Sequence, residues 1–267
     1  MTTPLVVSYG GGINSTAMLV GMVERGIRPD AILFADTGGE HPHTYEFIGA
    51  VNAYCEANGL PSISILKYKP TRPGSVAWNS LEQECVERGQ LPSLAYGFHK
   101  CAAKWKATPQ EKWLAAWDVG QATVAAGQLI RKAIGFHRDE AHRRKDHIQD
   151  PGTVKVYPLL EWGWAQRDCL AAVERAGLPT PRKSSCFFCP ASTKHQVRAL
   201  AREQPALFQR ALAIEDSART AGNLQTVVGL GRHWTWRSVA EADACQLDMF
   251  RDTQETPCGC YDGDDDD

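Results

Sequence analysis

Residues 6–16 read VVSYGGGINST. Val6 and Val7 follow Leu5 as a short apolar run, which predicts a buried strand. Gly10, Gly11 and Gly12 break that run, and Ser15-Thr16-Ala17-Met18-Leu19-Val20 resumes with residues suited to a helix. The order is strand, glycine turn, helix. Glycines lack a Cβ, so their backbone N–H groups can approach an anion closely, and the unpaired N–H groups at a helix start favour negative charge. Ser15 or Thr16 is expected to cap the helix and add a hydroxyl donor. Such a turn suits a phosphate group; the alternative is a tight turn that serves packing alone. The loop lacks the Lys-Ser/Thr ending of a Walker P-loop, and its glycines do not fit G-x-G-x-x-G.

Outward from this stretch the pattern repeats. Residues 31–35 form a second apolar run, ended by Asp36-Thr37-Gly38-Gly39. A helix is predicted over about 42–58, with Pro42 in its first turn and Gly59 past its end. Residues 63–66 read as a third strand. Strand and helix in alternation predict a parallel sheet flanked by helices, an α/β fold, with ligands at the carboxyl ends of the strands. Asp36 at a strand end suits a ribose, a metal ion or a nucleophile, or simply caps a turn. Residues 75–88 have helical character and end at Gly89. Residues 129–136 read as a strand entering a polar helix, 154–160 as another strand, and 164–176 as a helix. Residues 193–220 read as two helices broken near Pro205, with Glu215 and Asp216 as surface charges. The aromatic-rich turn 229–236 reads as Trp234 and Trp236 closing a core, or as a platform that stacks a base.

The length, 267 residues, suffices for one sizeable core with an appendage. A net charge of −2 gives no global nucleic-acid footprint. Six Lys and Arg residues between Arg131 and Lys145 nevertheless form a local basic cluster. It suits a polyphosphate or a nucleic-acid backbone, or else a solvated helix face. Lys104 and Lys106 are lesser candidates for phosphate. The sequence has no apolar run of about 18 residues, which argues against a membrane span. The first strand begins near the N-terminus and leaves no room for a signal peptide, so a cytoplasmic location is expected. The nine cysteines then read as thiols or metal ligands rather than a disulfide framework.

Cys55 and Cys85 fall in helical patterns and read as core or surface thiols, and Cys169 reads as core. Cys186-Phe187-Phe188-Cys189-Pro190 is different, because C-x-x-C places two sulfurs where one metal can take both. Cys258-Gly259-Cys260 and the basic-flanked Cys101 bring the candidates to Cys101, Cys186, Cys189, Cys258 and Cys260, enough for a four-thiolate site. Zinc and iron–sulfur clusters both accept thiolates, and a redox dithiol is the further alternative.

The motifs, in this order, resemble the phosphoadenosine phosphosulfate (PAPS) reductase-like family of the adenine nucleotide alpha-hydrolase-like, or PP-loop, superfamily. Gly11-Gly12-Ile13-Asn14-Ser15 resembles its SGGxDS loop, with Gly10 in place of the leading Ser and Asn14 in place of the Asp. Asp36, Thr37, Gly38, Glu40 and Thr44 match its DTG-x-E-x-x-x-T segment. His99 to Pro109 resembles its Cys-x-x-x-(W/F)-K-x-x-P stretch. GFHRDEAHRR resembles G-x-R-x-x-E-S-x-x-R, with Arg138, Glu140 and Arg143 as matches and Ala141 for the Ser. Trp162, Asp168 and Cys169 fit a later block.

The resemblance implies a nucleotide-binding domain over 1–180; the pattern beyond it reads as a helical cysteine-bearing region over 181–260, and the acidic run at the end as a disordered tail over 261–267. The resemblance also implies nucleotide binding by Gly10, Gly11, Gly12, Asn14, Ser15, Thr16, Asp36, Thr37 and Gly38, with Arg138, Glu140 and Arg143 catalytic. The nucleotide is ATP or PAPS, and magnesium is a candidate ion that Asn14 places in doubt. Several relatives carry a [4Fe–4S] cluster, so iron is expected ahead of zinc. The implied function is ATP-dependent activation with pyrophosphate release, then sulfur transfer, helped by the cluster, from a sulfur donor to an acceptor that could be a nucleic acid (DNA or tRNA) or a small molecule. The alternatives are a PAPS or adenylylsulfate reductase, whose C-terminal E-C-G-(I/L)-H motif is absent, and a zinc-stabilised, non-catalytic nucleotide or nucleic-acid binding protein.

Overall fold

A computed structural model describes residues 3–70, 72, 74–144 and 150–243. In chain order the elements are β1 (Leu5–Tyr9), α1 (Ile13–Glu24), β2 (Ala31–Asp36), α2 (Pro42–Ala57), β3 (Ile63–Lys67), α3 (Leu81–Arg88), α4 (Lys100–Ala102), α5 (Thr108–Ala116), α6 (Asp118–Ala125) and β4 (Ile130–Ile134). Then come β5 (Thr153–Val156), α7 (Pro158–Glu161), α8 (Gln166–Arg175), α9 (Lys194–Glu203), α10 (Pro205–Thr220) and α11 (Trp236–Asp243). They group into two compact units: residues 1–36, 41–67 and 108–184, and residues 37–40, 68–107 and 185–267.

The first unit is the α/β sheet. Its five strands are all parallel, in the order β3-β2-β1-β4-β5. Alternate residues of a strand face opposite sides. Val7 accordingly joins a core with Met18, Leu19, Phe47, Val51 and Val173, beneath α1, α2 and α8. Val6 joins Leu33, Leu114 and Ile130 on the side of α5. With both faces covered, β1 and β2 are buried throughout, which is why they read as continuous apolar runs rather than as alternation. The chain builds β2 and β3 to one side of β1 and then crosses to place β4 and β5 on the other. The sheet therefore has a switch point at the carboxyl ends of β1 and β4, where ligands of such sheets bind.

The second unit is helical and carries cysteines. Its core gathers Leu81, Leu94, Trp105, Phe187, Phe188, Val197, Phe208, Leu212 and Trp236. Gly89 ends α3 in the left-handed region at φ +59°, where a Cβ would lie 2.4 Å from that of Ala221. No helix among the described residues is long and apolar enough to cross a membrane.

Several expectations are corrected. The last strand stops at Val156, because Pro158 opens α7, where its missing N–H costs nothing. The polar helix after β4 is a six-residue 3-10 turn, Arg138–Arg143. The helix expected over 75–88 starts only at Leu81, where Ser80 caps it by accepting from Gln83 N. Glu215 is not a surface charge. It is buried, and its carboxylate accepts from the backbone N–H groups of Leu230 and Trp236. Asp216 is exposed and pairs with Arg219 and Arg237.

Candidate nucleotide site and cysteine turn

In the first unit, β1 runs out at Tyr9 and α1 begins at Ile13, leaving three glycines for the turn. Gly11 sits at φ +73°, and a Cβ there would press on Phe34 and Thr44 at 3.2 Å, so glycine is required. Gly12 is the N-cap, and no side chain caps α1. This corrects the expectation for Ser15 and Thr16. Their hydroxyls instead donate back to the Gly12 carbonyl, at 3.1 and 2.9 Å, and Ser15 Oγ accepts from Gly10 N. Among the described residues the first-turn N–H groups of α1 thus carry no side-chain cap, the arrangement that suits an anion.

The end of β4 closes the other side. A Cβ on Gly135 would lie 3.0 Å from Ser15 N, so the two segments touch backbone to backbone. Past it, Asn14 Nδ2 donates to Glu140 Oε2 at 2.8 Å, and Arg143 donates to Glu140 Oε1 at 2.6 Å. His137 Nε2 stands 3.4 Å from the same carboxylate. Glu140, Arg143 and His137 are all nearly buried, and Arg143 lies over the Phe136 ring. Asn14, Glu140 and Arg143 are therefore brought together at the switch point. Arg138 is not; its side chain is 61% exposed and lies near Asp139. Asp36, at the end of β2, is buried and accepts from the Tyr45 hydroxyl at 2.7 Å, with Lys67 at 3.8 Å.

Asn14 is a neutral ligand, and Glu140 is already engaged by Asn14, Arg143 and His137. Among the described residues of the loop and its 3-10 turn the buried carboxylate is thus committed to protein partners and Asp139 is exposed beside Arg138, a donor set that does not fit a protein-held magnesium ion.

The second unit takes up the chain at Thr37. Thr37 Oγ1 lies 3.1 Å from Cys186 Sγ, and Phe187 N donates to Gly39 O at 2.8 Å. Glu40 bridges to Cys186 in an antiparallel pair, and Lys106 stands 3.2 Å from its carboxylate. Thr37 and Gly38, read as nucleotide ligands, are built against the cysteine turn and against Ser80. Lys104 pairs with Glu84.

Cys186 and Cys189 are buried in one turn closed by Cys189 N donating to Cys186 O at 3.0 Å; Cys101 is half-buried in α4. Two buried thiols at this spacing fit soft-metal ligation. Among the described residues, however, no group of three or more His, Cys, Asp or Glu is set to hold a metal ion. Cys258, Cys260 and the acidic tail lie outside the described residues. Among the described residues the remaining thiols, Cys55, Cys85 and Cys169, are buried. Burial pushes Cys55 up to about 11 and Cys169 up to about 12, and it also raises Cys85.

Sequence reading missed two residues of the first unit. His137 lies inside a segment already singled out, but no motif marks it. Ser184 follows Pro181-Arg182-Lys183, and a Cβ on Gly12 would lie 2.7 Å from its Oγ. No local pattern announces that contact, which only folding creates.

Among curated proteins none matches the chain. A solved structure, U34-tRNA thiolase NcsA from Methanococcus maripaludis with its [4Fe-4S] cluster, is similar at 13% identity and a TM-score of 0.41, over 90% of this chain and 81% of that one. The sequence profile of the phosphoadenosine phosphosulfate reductase domain matches residues 4–170, the stretch that holds the whole parallel sheet, the glycine loop and the Glu140–Arg143 pair, and the chain belongs to that family.

Proposed function

We propose that this protein activates a substrate with ATP and then transfers sulfur to it. The observation that carries the reading is the glycine loop at the switch point, with an α1 start that no side chain caps and with Arg143 close by. In the first step a substrate oxygen attacks the α-phosphorus, the α–β bridging P–O bond breaks and pyrophosphate leaves. Backbone N–H groups of the loop and the Arg143 guanidinium offset the charge that develops. A sulfur nucleophile then displaces AMP from the adenylate, forming the C–S bond as the C–O bond breaks.

Cys101, Cys186 and Cys189, with Cys258, Cys260 or a non-protein group as the fourth ligand, would hold an iron–sulfur cluster, whose chemistry is to bind and activate sulfide. Zinc on the same thiolates would be a structural staple instead. The acceptor is a nucleic acid or a small molecule, and the setting cytoplasmic. A reductase acting on PAPS is the second reading, because the matching family profile is that of the reductase domain.

The test supplies ATP and sulfide with total tRNA or sheared DNA and reads pyrophosphate release and sulfur incorporation in parallel. Wild type is expected to do both, and Cys186→Ser only the first. Sulfite released from PAPS by a thiol reductant, with no pyrophosphate from ATP, would replace this reading with the reductase. ATP bound and never turned over would leave a binding protein.

A further inference from the structure

The loop's own hydroxyls are committed to the loop. Ser15 Oγ and Thr16 Oγ1 donate to the Gly12 carbonyl, and Thr16 also pairs with the Tyr9 hydroxyl. The leading position of the loop, Gly10, has no side chain at all. A hydroxyl nevertheless reaches this place from a distant part of the same unit. Ser184 Oγ stands 2.7 Å from where a Gly12 Cβ would be, over the start of α1.

Two further observations mark this side of the loop. Thr44 is 1% exposed, its methyl lies 3.2 Å from the Cβ position of Gly11, and its Oγ1 has no hydrogen-bond partner among the described residues. Both ring nitrogens of its neighbour His43 are likewise buried with no hydrogen-bond partner among the described residues. Burial, ahead of the Arg182 charge, holds the His43 imidazole below its usual value. Residues 182–184 thus bring two cationic residues and one hydroxyl to this side of the unit, with the Arg182 charge acting on His43 and Ser184 against Gly12.

We propose that Ser184 is a further phosphate-binding residue of this site, supplying the hydroxyl donor that Gly10 lacks. The proposal rests on reading the loop as a phosphate site. A phosphate oxygen seated on the first N–H groups of α1 accepts from Ser184 Oγ, a charge-assisted bond of the stronger kind.

The test is calorimetric titration of the full chain with ATP and with inorganic pyrophosphate. It compares wild type, Ser184→Ala, Ser184→Thr and the double variant Gly10→Ser/Ser184→Ala. Gly10 has room, since the nearest atom to a Cβ there is Ser15 Oγ at 3.8 Å. Ser184→Ala is expected to weaken both probes about tenfold with an unchanged melting curve. Ser184→Thr is expected to keep affinity, and Gly10→Ser to restore most of what Ser184→Ala loses. A merely structural serine would not be rescued from Gly10. Unchanged pyrophosphate affinity in Ser184→Ala, with wild type binding normally, overturns this inference alone. Wild type that binds neither probe overturns it together with the proposed function.

Discussion

At the scale of single residues, the departures from the family loop make sense as a set. An aspartate at position 14 would place its charge beside Glu140, a carboxylate that is buried and already holds Arg143. Asparagine turns that repulsion into a donated hydrogen bond, at 2.8 Å. The pair is then worth testing by its removal. Glu140→Gln strips the anion from a buried guanidinium, a loss of about 3 kcal/mol where such a pair is broken. Urea unfolding is expected to register that drop, and nucleotide affinity to fall with it, because Asn14 loses its charged acceptor. Unfolding that superimposes on wild type would mean that Glu140 holds nothing in place. None of this was legible in the sequence. The segment was singled out and Arg138 was ranked with Arg143, but spacing cannot tell which guanidinium turns inward.

At the scale of elements, the sequence was informative wherever burial was complete. β1 and β2 are covered on both faces, so their apolar runs were unmistakable, whereas β5 at the sheet edge was overextended into α7. The helices that cap themselves locally, such as α9 with Thr193 and Gln196, were placed closely. Glu215 was misread because its partners, the N–H groups of Leu230 and Trp236, come from a loop folded back onto α10. β4 holds a further buried charge. Lys132 is 3% exposed and stands in register with Val6 and Lys155. Burial, ahead of the opposing pull of Asp150 and Glu111, holds its ammonium below the usual 10.5. Between that lowered value and 10.5 the unfolded chain binds more protons than the folded one, so stability rises with pH through that window. Lys132→Met is expected to stabilise the protein at neutral pH by about 1 kcal/mol, an advantage that shrinks as pH climbs towards 10.5. A less stable variant would show that attraction to Asp150 and Glu111 outweighs the cost of burial.

At the scale of the molecule, a linear reading meets a limit of its own. Each compact unit draws on three separate stretches of chain, and the second unit takes Thr37–Glu40 from the middle of the sheet domain's sequence. That excursion explains why one motif, DTGGE, divides its work. Asp36 stays with β2, while Thr37 lies 3.1 Å from Cys186 Sγ and Gly39 accepts from Phe187 N. The chemistry of the second unit therefore turns on what its thiols hold, and metal analysis of protein purified without oxygen decides it. Wild type is expected to carry about four irons per chain with a broad visible band, both lost in Cys186→Ser. Cys169→Ser is the control, because Cys169 is a packed thiol of the first unit and its loss should leave the iron unchanged. About one zinc per chain would make the thiolates a staple and favour the binding protein. Protein free of metal would leave Cys186 and Cys189 as a dithiol, and sulfite release from PAPS would become the reaction to measure.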